Sequence, residues 1–271
     1  PWDRLVGVPV YTSSMDTWCA ALGLGANGAG CAYIVSGTTE ACGVIGAERR
    51  PAEGLVTLPW GGGLFQTGGP SHCGTGTLDW VAARVGIDDW AGVLRTARPD
   101  DIAAPSLLFF PYLEGERVPF WEPRLRGAFV GLDRRHEARD LLLAAIRGLA
   151  FVDAQILLRA AGERMDRVTD IRIGGGPARA DAWCELRADV LGRAVSRPSV
   201  DEPGLFGCAM LVFAGAAAAV KAVSAQPMLS ATSIFEPRAA LHARYERLYA
   251  QFVALQPALI ATGRGLAAAD P

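Results

Sequence analysis

The sequence predicts an α/β fold in which a mixed sheet is covered on its faces by helices. Three observations carry that expectation. Hydrophobic residues make up 51% of the 271 residues, enough for an extensive core. Strand-like runs cluster early as an antiparallel set, after which strands and helices alternate. One stretch, Val168 to Ile173, Gly174-Gly175-Gly176 and a helical run through Trp183, Leu186 and Val190, reads as a strand, a tight turn and a helix in succession.

Val8-Pro9-Val10-Tyr11 reads as a first short strand, and Met15, Trp18, Cys19 and Leu22 have helical spacing, with Ser13 or Ser14 placed to cap and Asp16 in the first turn. Cys31 to Ser36 and Ala41 to Ile45 are β-rich and separated by Gly37-Thr38-Thr39-Glu40, which predicts a hairpin. Leu55 to Trp60 supplies a third strand. Gly61-Gly62-Gly63 and Thr67-Gly68-Gly69-Pro70 carry loop signals, and Thr77 to Val85 resumes a helix. Leu107 to Tyr112 and Phe129 to Leu132 flank a loop through Glu114-Gly115-Glu116-Arg117, where an ion pair between Glu116 and Arg117 is expected. Asp140 to Ala161 reads as a long amphipathic helix, Ala194 to Arg197 as a strand, the region from about Leu205 as a helix buried on all sides, and Arg238 to Leu259 as an amphipathic helix with Tyr245, Tyr249 and Phe252 on one face.

Composition excludes several functions. Twenty-six basic against 28 acidic side chains give a net charge of −2, which offers no footprint for nucleic acid or an anionic membrane. Lys221 is the single lysine, so Schiff-base chemistry and a P-loop are effectively excluded. The six cysteines form no CxxC pair and the three histidines are scattered, so the cysteines read as reduced, mostly buried thiols and no metal site is predicted on them. The uncharged stretch from Pro203 to Val220 is near the minimum length for a membrane span, but its Ala- and Gly-rich composition favours a core helix. The chain opens at Pro1 without a methionine, so a removed segment or a piece of a longer chain is expected.

The chemistry is to be sought in the glycine-rich turns. A Gly-Thr turn between strands, or glycines opening a helix, brings backbone N–H groups against a phosphate without side-chain obstruction. Each turn alone has an ordinary structural explanation, and Asp16 has one too, because a helix dipole favours a carboxylate in the first turn. The run after Ile173 does not fit the GxGxxG spacing, which weakens a dinucleotide-binding reading.

The order of motifs is more telling. Val8-Pro9-Val10 leading to Asp16, with Gly23 and Gly25 on the same helix, is followed by Ser36-Gly37-Thr38-Thr39 and by Gly74-Thr75-Gly76-Thr77-Leu78-Asp79-Trp80. Then come Pro111-Tyr112-Leu113-Glu114-Gly115-Glu116-Arg117-Val118-Pro119, Gly127-Ala128-Phe129-Val130-Gly131-Leu132, and Ile173-Gly174-Gly175-Gly176 through Trp183, Ala188-Asp189 and Leu191-Gly192. This order resembles the C-terminal half of the FGGY carbohydrate kinases, over nearly the whole chain. The resemblance implies an actin-like ATPase (ribonuclease H-like) domain spanning residues 1–271, with a tail helix at about 238–262 and the N-terminal sugar-binding domain outside the chain. It implies ATP and Mg²⁺ as cofactors, a pentulose or related polyol or aldonate as acceptor, and a cytoplasmic enzyme that is inactive as an isolated half. Expected partners are the sugar, ATP or ADP and the N-terminal domain of the same enzyme, with no nucleic acid or membrane; homodimerisation is left open.

By that resemblance Asp16 looks like the general base and Thr38, on its turn with Gly37 and Thr39, like the phosphate contact. Gly74 and Gly76, with Gly175 and Gly176, resemble the nucleotide loops, and Ala180 lies near the adenine. Arg147 stands where relatives carry an acidic residue, Ala180 where they often place Ser or Asn, and Pro177 where alanine is more usual. A non-catalytic actin-like nucleotide-binding or regulatory module is the alternative, and a nicotinamide-dependent oxidoreductase is a weaker third.

Overall fold

The computed structural model describes residues 2–8, 10–12, 14–104, 107–214 and 232–269. Its centre is a seven-stranded sheet ordered β3-β4-β2-β1-β7-β8-β9. The strands are β1 (Cys31–Ser36), β2 (Glu40–Gly46), β3 (Val56–Gly61), β4 (Leu64–Pro70), β7 (Asp170–Gly175), β8 (Val195–Pro198) and β9 (Thr232–Phe235). The early strands pair antiparallel, as expected from their close spacing. β7 then joins β1 in parallel, β8 joins β7 in parallel, and β9 closes the edge antiparallel. A separate two-stranded ribbon holds β5 (Leu108–Phe110) and β6 (Ala128–Val130).

Side-chain alternation along β1 sends Ala32 and Ile34 to one face of the sheet and Tyr33 to the other. The first face is covered by α2 (Thr75–Val85), α5 (Ala138–Ala161) and α6 (Asp181–Leu191). Every residue of α5 from Leu142 to Leu157 is buried, so this helix is wrapped rather than amphipathic as its sequence suggested. Short helices α3 (Trp90–Thr96) and α4 (Pro99–Ile102) lie near it, and α8 (Ala239–Ala269) lays Phe252 on Phe110, rings stacked with centroids 4.6 Å apart. The second face receives α1 (Asp16–Gly23) through Ala21 and a Trp18–Trp60 stack with centroids 5.2 Å apart, and α1 packs in turn on α7 (Pro203–Ala214). Two described helices, α5 and α8, are long and apolar enough to cross a membrane; the apolar window of α5 is 89% buried within the protein.

Four expectations need correction. Residues 8 and 10–12 form no strand, and Val10 is 95% exposed, because among the described residues no strand lies alongside to take its backbone hydrogen bonds; Pro9 lies outside the described residues. Thr67-Gly68-Gly69-Pro70 is not a loop but most of β4, since strands on both sides supply the ladder and glycine there permits close backbone approach. The helix at Leu205 is buried on one side only: Leu205 and Phe213 are exposed while Met210 is buried, and residues 215–221 of the uncharged stretch and its flank lie outside the described residues. At the start of α1 the N-cap position is Met15 with no side-chain cap bond, and Ser13 lies outside the described residues.

Candidate nucleotide site

The turn between β1 and β2 is where the glycine motifs converge. Thr75 N donates to Gly37 O at 2.9 Å, Thr75 Oγ1 donates to the same oxygen at 3.1 Å, and Gly76 N donates to Thr38 O at 3.2 Å. The first N–H groups of α2 are therefore taken up by the carbonyls of the turn. A Cβ on Gly74 would run into the Thr38 carbonyl and the Thr39 Cα, so glycine lets the helix start approach this closely. From the other side, the β1–β7 register sets Ser36 against Gly175, whose φ of +101° and contact with the Ser36 carbonyl exclude a side chain. Thr38 and Thr39 at the tip stay exposed, and the Thr38 hydroxyl and N–H have no partner among the described residues.

Beside the turn lies a cleft of about 430 Å³ lined by Thr75, Trp90, Gly176, Pro177, Arg179 and Ala180. Gly176 faces it with open space where a Cβ would stand. Ala180 is the N-cap residue of α6 and makes no side-chain cap bond, so this helix start keeps more of its donors free than a Ser or Asn would leave. A second cavity of about 510 Å³ shares Arg95, Arg179 and Ala180 and continues toward Glu185, Arg238 and Tyr245. At the opposite end of β1 and β2 a cavity of about 280 Å³ lined by Val44, Phe65, Ala161 and Arg164 contains none of the residues expected from the sequence.

The loop 114–117 supports the site differently from the expected ion pair. Glu116 is buried and accepts from Ser71 Oγ at 2.7 Å, His72 N at 2.7 Å, Cys73 Sγ at 3.0 Å and Arg117 N at 2.7 Å. The Arg117 guanidinium instead donates to Ser71 O at 2.9 Å. Backbone donors satisfy the carboxylate better than a neighbouring guanidinium could, and they fix the segment that leads into Gly74. Arg147 is buried in α5 and donates to the carbonyls of Ile102, Ala104 and Leu107; burial lowers its guanidinium to about 10. It braces the connection after α4 rather than facing the cleft. Four of the six cysteines, Cys19, Cys42, Cys73 and Cys184, are buried.

Asp16 is not part of this convergence. It stands exposed at the start of α1, where its Oδ1 accepts from Thr17 N at 2.6 Å. The sequence reading placed Trp183 on its helix but missed the group it belongs to, with Arg187, Glu40 and Asp153, buried under the turn. The fully uncharged surroundings of Asp153 in α5 and the helical offset of Trp183 and Arg187 were the available signals.

A model of the C-terminal domain of the FGGY family of carbohydrate kinases matches residues 32–216. The chain belongs to that family. It is 27% identical over 273 residues to the xylulose kinase of Escherichia coli, covering 92% of this chain and 53% of that protein. It is 31% identical over 166 residues to a xylulose kinase of Staphylococcus epidermidis, covering 60% of this chain and 33% of the relative. The crystal structure of a xyloylose kinase from Brucella ovis superposes with a TM-score of 0.75 at 26% identity, over 91% of this chain and 51% of that one. A ligand-bound xylulose kinase from Lactobacillus acidophilus, at 21% identity and TM-score 0.77, supports the same actin-like ATPase fold. The matches span between a third and about half of the relatives' length. The strand, turn and helix at β7 thus belong to a kinase fold, and a nicotinamide-dependent reading has no support.

Proposed function

We propose that this FGGY chain supplies the nucleotide half of an ATP-dependent carbohydrate kinase, which moves the γ-phosphoryl group of ATP to a hydroxyl of a pentulose or a related polyol or aldonate. The observation that carries the reading is the exposed Thr38 tip, locked between the start of α2 and the end of β7 beside an open cleft. In such a transfer the sugar oxygen forms a bond to phosphorus, the bond to the ADP oxygen breaks, and the hydroxyl proton passes to a base. The protein's task is mostly to position and neutralise charge. Thr38 is assigned to the phosphate, Gly37 and Thr39 to shaping the turn, Gly74, Gly76 and Gly175 to holding it, and Gly176 and Ala180 to the nucleotide cleft. Asp16 is assigned as the base.

Mg²⁺ would arrive with the ATP phosphates, since no group of three or more His, Cys, Asp or Glu side chains able to hold an ion occurs among the described residues. The relatives extend well beyond the matched part, so the sugar surface and half of the catalytic cleft are assigned to an N-terminal domain of the same enzyme. Calorimetry with ADP and a coupled kinase assay test both halves of the reading. Weak ADP binding without sugar phosphorylation by the 271-residue chain is the expected result, and robust turnover by this chain alone overturns it.

A further inference from the structure

Beneath the Thr38 turn lies a closed group of ionisable side chains that no ligand can touch. Glu40 on β2, Asp153 on α5 and Arg187 on α6 have side chains with 0% exposure. Arg187 Nη2 is 2.8 Å from Asp153 Oδ2 and 3.5 Å from Glu40 Oε1, and its guanidinium lies 3.7 Å from the Trp183 ring centroid. The Cys42 thiol donates to Asp153 Oδ1 at 3.3 Å. The group reaches the turn through Ser36, whose hydroxyl donates to Glu40 Oε2 at 2.9 Å and accepts from Trp183 Nε1 at 3.0 Å. The backbone of Glu40 reaches the segment before Gly74: its N–H donates to Cys73 O at 2.7 Å and its carbonyl accepts from Ser71 N at 2.9 Å. Ser36 and Glu40 are the residues that bracket Gly37-Thr38-Thr39.

Two carboxylates and one guanidinium would leave a net negative charge away from water, a state costing several kcal/mol. One bound proton removes it. Asp153 holds the shorter contact to Arg187 and the thiol donor, whereas Glu40 Oε1 has only the longer contact; neither Glu40 Oε1 nor Asp153 Oδ2 has a well-formed hydrogen bond among the described residues. The proton therefore belongs on Glu40. We propose that Glu40 is a positioning residue of the nucleotide site: carried as a neutral acid, it holds the Gly37–Thr39 turn against α6 through Ser36 and Trp183. This rests on the reading of that turn as the phosphate-binding element. Burial, and after it the neighbouring Asp153, push the Glu40 carboxyl well above the usual carboxylate range; Arg187 and Ser36 oppose them. Burial raises Asp153 as well, against the pull of Arg187 and Cys42. The groups that face Glu40 are thus Asp153 from α5, Arg187 from α6, Cys42 from its own strand and Ser36 from β1.

Ionising Glu40, as pH rises through its raised range, returns the uncompensated charge and loosens the turn. The folded protein then binds more protons than the unfolded chain between the ordinary carboxylate pKa and the raised one, so stability falls as pH rises through that window. Glu40→Gln keeps the shape and the acceptor for Ser36 but cannot ionise. Infrared spectra of wild type and Glu40→Gln at neutral pH, and ADP titrations from neutral to alkaline pH, test the proposal. Expected are a protonated-acid carbonyl band in wild type that the variant lacks, and an alkaline loss of ADP affinity of about tenfold in wild type that the variant does not show. Ser36→Ala, which leaves Glu40 in place and cuts its link to the turn, should weaken ADP binding about two- to tenfold. That variant keeps the test open if Glu40→Gln fails to fold. The role of Glu40 is overturned if the acid band persists in Glu40→Gln, if wild type and Glu40→Gln share one pH profile, or if Ser36→Ala binds ADP like wild type. A wild-type protein that binds no ADP at any pH overturns the phosphate-site reading itself.

Discussion

The Thr38 turn and the Asp16 helix start are the two ends of the proposed site, and they are built in opposite ways. The turn is held from three directions: carbonyl acceptors for α2, the β7 register at Gly175, and the buried Ser36–Glu40 contact below. Asp16 has an exposed position, an uncapped helix and a bond to its own neighbour Thr17. Hydrogen bonds already made in the free protein need no ordering when a ligand arrives, so the proposed phosphate end is preorganised by this chain. Among the described residues the Asp16 end is fixed by α1 alone, and under the proposed function its catalytic geometry would be completed by the proposed N-terminal domain. A variant at one end should therefore alter binding or folding, and a variant at the other should alter rate.

The largest effect should come from Asp16→Asn in the proposed two-domain enzyme. Asparagine keeps the shape but cannot accept a proton, and general-base assistance is typically worth about 10²–10⁴ in rate. The loss should fall on kcat, with ADP affinity and Tm unchanged, because the exposed carboxylate supports little of the fold. Retention of more than about a tenth of wild-type kcat removes Asp16 from the base role and reduces it to a residue placed by the helix dipole.

Gly175→Ala should break the other end through the fold. The backbone at φ +101° disfavours any L side chain, and the new methyl would overlap the Ser36 carbonyl across the β1–β7 pair. A cost of about 2–4 kcal/mol is expected from the strain and the overlap together, read as a fall in Tm of roughly ten degrees. A variant with wild-type Tm would show that the β7 end is not what locks the turn.

The contrast also explains what could be read from the sequence. The β1–β2 hairpin, the Thr77 to Val85 helix and the β7 turn were legible because apolar periodicity and glycine punctuation are local signals. β4 was not, since Thr67-Gly68-Gly69-Pro70 becomes a strand only when β2 and β3 lie on either side of it. The wrapped state of α5 was hidden for a related reason: Arg147, Asp153 and Gln155 break its apolar pattern, yet each is buried among partners from distant segments. Glu116 misled in the same manner, with Arg117 adjacent in sequence while its donors come from Ser71, His72 and Cys73. Three separate glycine motifs could be picked from the sequence, but their convergence on one turn, Ser36 to Thr39, is a tertiary fact.

Thr38→Val should weaken ADP binding about tenfold, since a hydrogen bond to a charged acceptor is worth roughly 1.5–3 kcal/mol and the backbone N–H remains. Valine fits the same exposed backbone, so Tm should hold. Calorimetry and a melting curve on one preparation separate the outcomes, and unchanged affinity in a folded variant would make Gly37-Thr38 a turn and nothing more.

The smallest effect, and the sharpest against Gly175→Ala, belongs to the next residue. Gly176 has helical backbone angles, φ −52° and ψ −54°, and open space where a Cβ would stand. Alanine suits that backbone and restricts the unfolded chain, so Gly176→Ala should leave stability unchanged or raise it by about 0.4–1 kcal/mol. Its methyl would point into the cleft beside Pro177 and Ala180. If the nucleotide's phosphates approach this backbone as closely as a glycine allows, ADP affinity should fall about three- to tenfold in a protein at least as stable as wild type, the cost of one misplaced methyl at a close contact. Two adjacent glycines would then be separable by experiment, one required by the sheet and the other by the ligand. ADP binding equal to wild type, in a folded Gly176→Ala protein, would move the nucleotide away from the end of β7 and leave the turn at Thr38 as its sole contact with this side of the cleft.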